Sequence, residues 1–98
     1  MAKPLPRIGD YVRILKAPGY PGVERGDVGK VVGDYWLQKD GSLNVDTVSL
    51  APDTHFVNLT FSPNELEPVS EKTLRSRKFS SDPQNQRAFR CYEILSGR

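Results

Sequence analysis

The sequence predicts an all-β fold: a small barrel of five short strands, followed by a basic linker and a short C-terminal helix. Three observations lead there. Eight glycines and eight prolines in 98 residues interrupt the chain too often for long helices, because glycine supplies positive φ and proline lacks a backbone donor. The runs between those breaks are short, and most alternate apolar with polar residues, the period of a half-buried strand. Isolated hairpins are marginal in water, so strands this short must close on one another, and closure also removes exposed edges.

Residues 8–15, IGDYVRIL, read as the first strand, with Val12 and Ile14 on one face and Tyr11, Arg13 and Leu15 on the other. Residues 16–25, KAPGYPGVER, form a loop around two proline–glycine breaks. The second strand is GDVGKVVGDYW, 26–36, and its interior Gly29 and Gly33 suggest a bulge or a sharp bend. Tyr35 and Trp36 would then point to opposite faces and pack in the core or across strands. Asp40-Gly41 supplies the hairpin turn. In the third strand, 42–50, Leu43 and Val45 share one face but Val48 and Leu50 the other, a slip that predicts a bulge near Asp46-Thr47. A turn at 51–54 leads to HFVNLTF, 55–61, with Val57, Leu59 and Phe61 on one face. Ser62-Pro63 starts one helical turn before a last short strand ending at Val69.

The barrel thus occupies residues 1–69 and a second region 70–98. Within the latter, 70–81 is polar and reads as a linker. Asp82 then offers an N-cap with Pro83 at the first helical position. Ala88, Cys91, Tyr92 and Leu95 form a stripe at helical spacing. A strand over RAFRCYEIL, with Phe89, Cys91 and Leu95 on one face, is the competing reading. A helix this short is unstable alone and must dock its stripe on the barrel or on a partner.

Composition narrows the function classes. Residues 1–69 hold seven Lys and Arg against nine Asp and Glu, a net of −2, and residues 70–98 hold seven against three, a net of +4. The basic tail is expected to meet an anionic partner or the acidic side of its own barrel. A single cysteine, Cys91, rules out an internal disulfide and suggests a reducing compartment, cytoplasm or a plastid stroma. The opening MAKPLPRIGD lacks the apolar core of a secretory signal. No stretch approaches the roughly 20 apolar residues of a membrane span, so contact with a membrane complex would be peripheral. His55 and Cys91 are too few for a metal site, and neither sits in a nucleophile motif. The scattered aspartates lack the calcium-loop pattern, and no glycine loop has a phosphate-binding lysine. No catalytic residue, metal or cofactor is expected.

GDYVRILK (9–16), the Gly/Pro/Tyr loop, GDVGKVV (26–32) and FSPNELEPV (61–69) together resemble the SH3-like barrel superfamily. Within it, VRILKAPGY…VERGDVGKVV is similar to the accessory subunits of photosynthetic electron transport, of which photosystem I reaction-centre subunit IV (PsaE) is one. Gly26, Val28 and Val31 match the G-x-V-x-x-V element of KOW domains more loosely. The first resemblance implies a non-catalytic docking or accessory subunit that binds a larger protein assembly or an acidic protein. The second implies a nucleic-acid or ribosome-binding module, against which the net charge of the barrel counts.

In SH3-like barrels the first long loop lines the binding surface, so the resemblance implies that Tyr20, with Arg13, Lys16 and Arg25 around it, grips a partner. Tyrosine supplies a rigid amphipathic anchor and arginine a directional charge. Alternatively Tyr20 only covers the open end of the barrel. Trp36, if exposed beside Lys30 or Lys39, would stack on a base or pack on a protein. Arg75, Arg77 and Lys78 form a basic cluster suited to phosphates or an acidic surface, with Arg87 and Arg90 extending it along the helix.

Overall fold

A computed structural model describes residues 5–97. The elements, in chain order, are β1 Tyr11–Ile14, β2 Val28–Gly33, β3 Leu43–Ser49, β4 His55–Phe61, a 3₁₀ turn Pro63–Glu65, β5 Leu66–Val69, α1 Glu71–Arg75, α2 Arg77–Ser81, a second 3₁₀ turn Pro83–Asn85, and α3 Gln86–Ser96. The five strands form one antiparallel sheet in the order β4-β3-β2-β1-β5. Its edges are β4 and β5, and among the described residues no hydrogen-bonded ladder joins them, so the sheet curls without closing.

The sheet separates two apolar clusters. Val12, Ile14, Val31, Leu43, Val45, Phe61 and Leu66 come from all five strands and meet on the inner face, where Val23 of the first loop joins them. Tyr11, Val28 and Val48 point the other way and are covered by Leu74, Phe79, Ala88, Cys91, Tyr92 and Leu95 from the three helices. Strand residues alternate between faces, so each central strand feeds both clusters.

That arrangement corrects the reading of the third strand. The β3–β4 register runs from Leu43↔Phe61 to Ser49↔His55 without a break, and no bulge lies near Asp46-Thr47. The apolar parity slips because both faces are covered, Leu43 and Val45 by the inner cluster and Val48 and Leu50 by the helices. The register shift falls instead in the β2–β3 pairing, between Val31 and Gly33. Gly29 serves a different need: a Cβ there would stand 2.6 Å from Val45 Cγ1 and 2.9 Å from the Asp46 carbonyl oxygen, so only glycine lets β2 and β3 pack this closely.

Two further expectations fail. β2 ends at Gly33, and Tyr35-Trp36 lies in the turn that follows, not in the strand. Residues 70–81 are not an unstructured linker but two one-turn helices. Ser70 caps α1 by accepting from the Thr73 N–H, and Ser76 closes α1 and caps α2 by accepting from the Phe79 N–H. Each helix is held down by one apolar residue, Leu74 or Phe79, both buried. Asp82 accepts from the Gln84 N–H and opens the turn into α3. Ala88, Cys91, Tyr92 and Leu95 are all buried along one side of α3, which replaces the competing strand.

Candidate docking surface

Arg87 of the tail clasps the loop that leads into β2. Its Nε donates to Asp27 Oδ1 at 2.8 Å and its Nη2 to Asp27 Oδ2 at 3.2 Å and to the Gly22 carbonyl, while Nη1 stands 3.3 Å from Glu24. Asp27 is 1% exposed. Burial pushes its carboxyl above the usual carboxylate range, and the hydrogen bond from Arg87 pulls it back. Gly22 is confined to glycine by a φ of +84° and by Ser49 Oγ and Ala51, which a Cβ would overlap. The acidic-front, basic-tail asymmetry of the sequence is thus partly consumed within the chain.

The residues expected to bind a partner fall on different parts of the molecule. Arg13 donates from Nε to the Gly26 carbonyl at 3.1 Å and from Nη2 to Asn85 Oδ1 at 2.9 Å, and its guanidinium lies 5.5 Å from the Phe79 ring centroid. It ties β1 to the helices. Tyr20 packs against the inner cluster and its hydroxyl meets His55 Nε2 at 3.2 Å, a position closer to a cover than to a free anchor. Lys16 pairs loosely with Glu65 at 3.9 Å. Lys30 lies over the Tyr11 ring at 5.5 Å. Arg25 is exposed and forms no ion pair among the described residues.

The basic tail divides in the same way. Arg75 pairs with Glu71 at 2.9 Å and donates to the Tyr92 hydroxyl, which itself donates to Glu71, so the three lock α1 onto α3. Arg77, Lys78 and Arg90, with Lys72, are exposed and without an ion pair among the described residues.

Trp36 is the expected residue that does reach solvent in an apolar setting. Tyr35 and Trp36 are 65% and 40% exposed and pack edge to face, with ring centroids 4.9 Å apart. Lys39 sits 4.6 Å from the Tyr35 centroid and 5.4 Å from that of Trp36, and donates to the Tyr35 hydroxyl at 3.0 Å. The turn carrying them is stiffened by the Trp36 carbonyl, which accepts from the N–H groups of Lys39, Asp40 and Gly41. The cation and the shared acceptor hold both rings in place without core contacts.

Across a cleft of about 550 Å³, lined by Leu5, Pro6, Arg7, Ile8, Asp34, Leu37 and Leu43, this turn faces residues 5–8. Just beyond residues 5–8, the Gly9 N–H donates to the Val31 carbonyl of β2 at 2.8 Å. Of the six exposed large apolar side chains among the described residues, four come from these segments, Leu5, Ile8, Tyr35 and Trp36, and Val32 lies near the end of β2 just before the turn. The sequence placed Ile8 in a strand and the aromatic pair in the core or across strands, with Trp36 as the partner-binding candidate if exposed, so the apolar neighbours of Trp36 were missed. The usable signal was Asp34 and Asp40-Gly41, turn formers on both sides of Tyr35-Trp36.

Cys91 lies under α3, and burial pushes its thiol up to about 12. A thiolate is therefore absent at neutral pH, and His55 bonds Tyr20 rather than Cys91. We expect a thiol reagent at mildly alkaline pH to label the folded chain only at its rate of opening, and the denatured chain at once. Rapid labelling of the folded chain would contradict the buried position.

No helix is long and apolar enough to cross a membrane among the described residues, nor do these residues gather three or more His, Cys, Asp or Glu in a metal-binding cluster. Comparison with known proteins finds no family model, curated protein or solved structure that matches this chain.

Proposed function

We propose that the chain is a non-catalytic docking module of the SH3-like kind, an accessory subunit that holds a partner protein within a larger assembly. One observation carries this reading: a fixed, exposed aromatic pair stands on the turn whose Asp34 and Leu37 line a cleft with the exposed Leu5 and Ile8. Contiguous exposed apolar patches mark interaction sites, and aromatic anchors near the centre of an interface supply most of its binding energy. Arg7 and Asp34 line the cleft and Lys39 stands on the aromatic turn, so a partner with acidic groups meets Arg7 and Lys39. Such complementary charge raises the rate of encounter more than the affinity. The resemblance to PsaE-type subunits suggests a photosynthetic electron-transport complex as the assembly.

A second reading rests on its own observation. Lys72, Arg77, Lys78 and Arg90 are exposed cations without ion pairs among the described residues, and such a surface also suits a phosphate backbone. One experiment separates the two. The immobilised chain is compared with Tyr35→Ala/Trp36→Ala and with Arg77→Glu/Lys78→Glu. A protein retained by the wild type and the charge variant but lost from the aromatic variant supports docking. Salt-sensitive nucleic acid retained by the wild type and the aromatic variant but lost from the charge variant supports the second reading and sinks the first.

A further inference from the structure

The two edges of the sheet differ in how they are protected. Strand residues point their N–H and C=O to the same side, and successive residues alternate. On β5 the Leu15 N–H bonds the Glu65 carbonyl at 2.8 Å, which puts Leu66 and Pro68 on the open side. The Leu66 N–H is spent on the Pro63 carbonyl, and Pro68 has none. That edge offers no outward donor, a common device against strand addition.

The β4 edge lacks the device. The Thr47 hydroxyl donates to the Val57 carbonyl at 2.9 Å, so Val57 and Leu59 face β3 while Asn58 and Thr60 turn their backbone groups outward. Those groups have no backbone partner among the described residues. The strand has seven residues, HFVNLTF, with no Lys, Arg, Asp, Glu, Pro or Gly, and its register with β3 carries no bulge. Beside it the loop residues Lys16, Ala17 and Pro18 stand back across a cleft of about 230 Å³. Natural edges left long, straight and uncharged are rare, because they invite another strand.

We propose that β4 pairs antiparallel with β4 of a second copy, the two-fold axis passing through Leu59. In that register Asn58 lies opposite the partner's Thr60, and Thr60 opposite the partner's Asn58. Both pairs exchange both backbone bonds, while Leu59 meets the partner's Leu59 at the closer, non-bonded spacing. Leu59 is half-buried and packs on the inner cluster, so the contact continues that cluster into the second chain. Charge favours this occupant over a foreign segment. The strand carries no Lys, Arg, Asp or Glu to select an acidic or basic peptide, and Lys16 and Glu65 beside it are of opposite sign and paired, so it meets its own copy without net repulsion. The surface is separate from the aromatic cleft, so one dimer presents two docking faces.

Sedimentation equilibrium of the full chain, from micromolar to millimolar, tests the pairing. The expected mass rises towards twice that of one chain. Thr60→Pro removes only an outward N–H, as Pro68 does on β5, and Thr60→Lys adds an edge charge. Both variants should remain single at the concentrations where the wild type pairs, with unchanged melting temperatures. A wild type of single-chain mass throughout, or a folded Thr60→Lys variant that pairs like the wild type, overturns the proposal. Should the proline variant not fold, hydrogen exchange decides: the Asn58 and Thr60 amides must slow as wild-type concentration rises, and exchange independent of concentration overturns the pairing. Single-chain mass with those amides protected by an added extended peptide replaces the second copy with a foreign strand.

Discussion

Replacing Arg87 with alanine lowers the stability of the fold by about 3 kcal/mol, the loss expected when one member of a buried ion pair is removed and the other stays behind. Arg87 serves four acceptor atoms at once, and Asp27, its main partner, has almost no access to water. Without the guanidinium, Asp27 can be charged only at the full expense of desolvation. The effect has a sign in pH. Burial already raises the Asp27 carboxyl above its ordinary 3.8, so the folded state holds that proton more tightly than the unfolded state. A raised carboxylate contributes stability below its unfolded value and loses it as pH rises through the folded value. Losing Arg87 raises the folded value further. The deficit of Arg87→Ala is therefore largest at neutral pH and shrinks in acid, where Asp27 is protonated in both proteins. Urea unfolding at the two pH values measures it, and Asp27→Asn in the Arg87→Ala background should recover part of the neutral-pH loss. A deficit that does not change with pH would mean that Arg87 acts by packing alone.

Replacing Tyr35 and Trp36 together with alanine should weaken partner capture by at least about 30-fold, the effect of losing one interface hot spot of about 2 kcal/mol. The melting temperature should hardly move. Neither ring belongs to either core cluster, and their packing is with each other and with Lys39. An exposed pair that contributes little to folding but is held rigid by a cation and a tight turn loses little conformational freedom on binding. Unchanged capture in the folded double variant would remove the aromatic turn as the docking surface. Trp36 is the single tryptophan, so its emission reports the encounter directly.

Local signals were readable in the sequence where one residue type dictates one backbone state. The five strands, the Ser62-Pro63 turn and the start of the last helix followed from alternation, from proline at a helix start and from an aspartate that caps. The stripe Ala88, Cys91, Tyr92 and Leu95 was visible because eleven residues of α3 give periodicity room to appear. Five residues do not: α1 and α2 each carry one apolar side chain, and one point has no period. The covering of both sheet faces was also hidden. An alternation rule assumes one wet face, and Val48 and Leu50 violate it because the helices arrive from beyond the strands. The Arg87–Asp27 clasp spans 60 positions, and no local pattern announces a pairing of that range. The aromatic pair was misplaced because tyrosine and tryptophan favour strands and outweighed the turn-forming Asp34 before them; pairing loses its register between Val31 and Gly33.

That one sheet serves two apolar clusters has a consequence for motion. Tyr11 and Val12 are neighbours in the chain yet belong to opposite clusters, as do Val28 and Val31, three residues apart on β2. Opening either side withdraws side chains on which the shared strands depend, so partial melting of the sheet would carry both clusters with it. Fluctuations of small free energy are then confined to places outside the clusters, chiefly the outward rim of β4. The molecule keeps its freedom at the open strand edge, and the platform that carries the aromatic turn stays all-or-none.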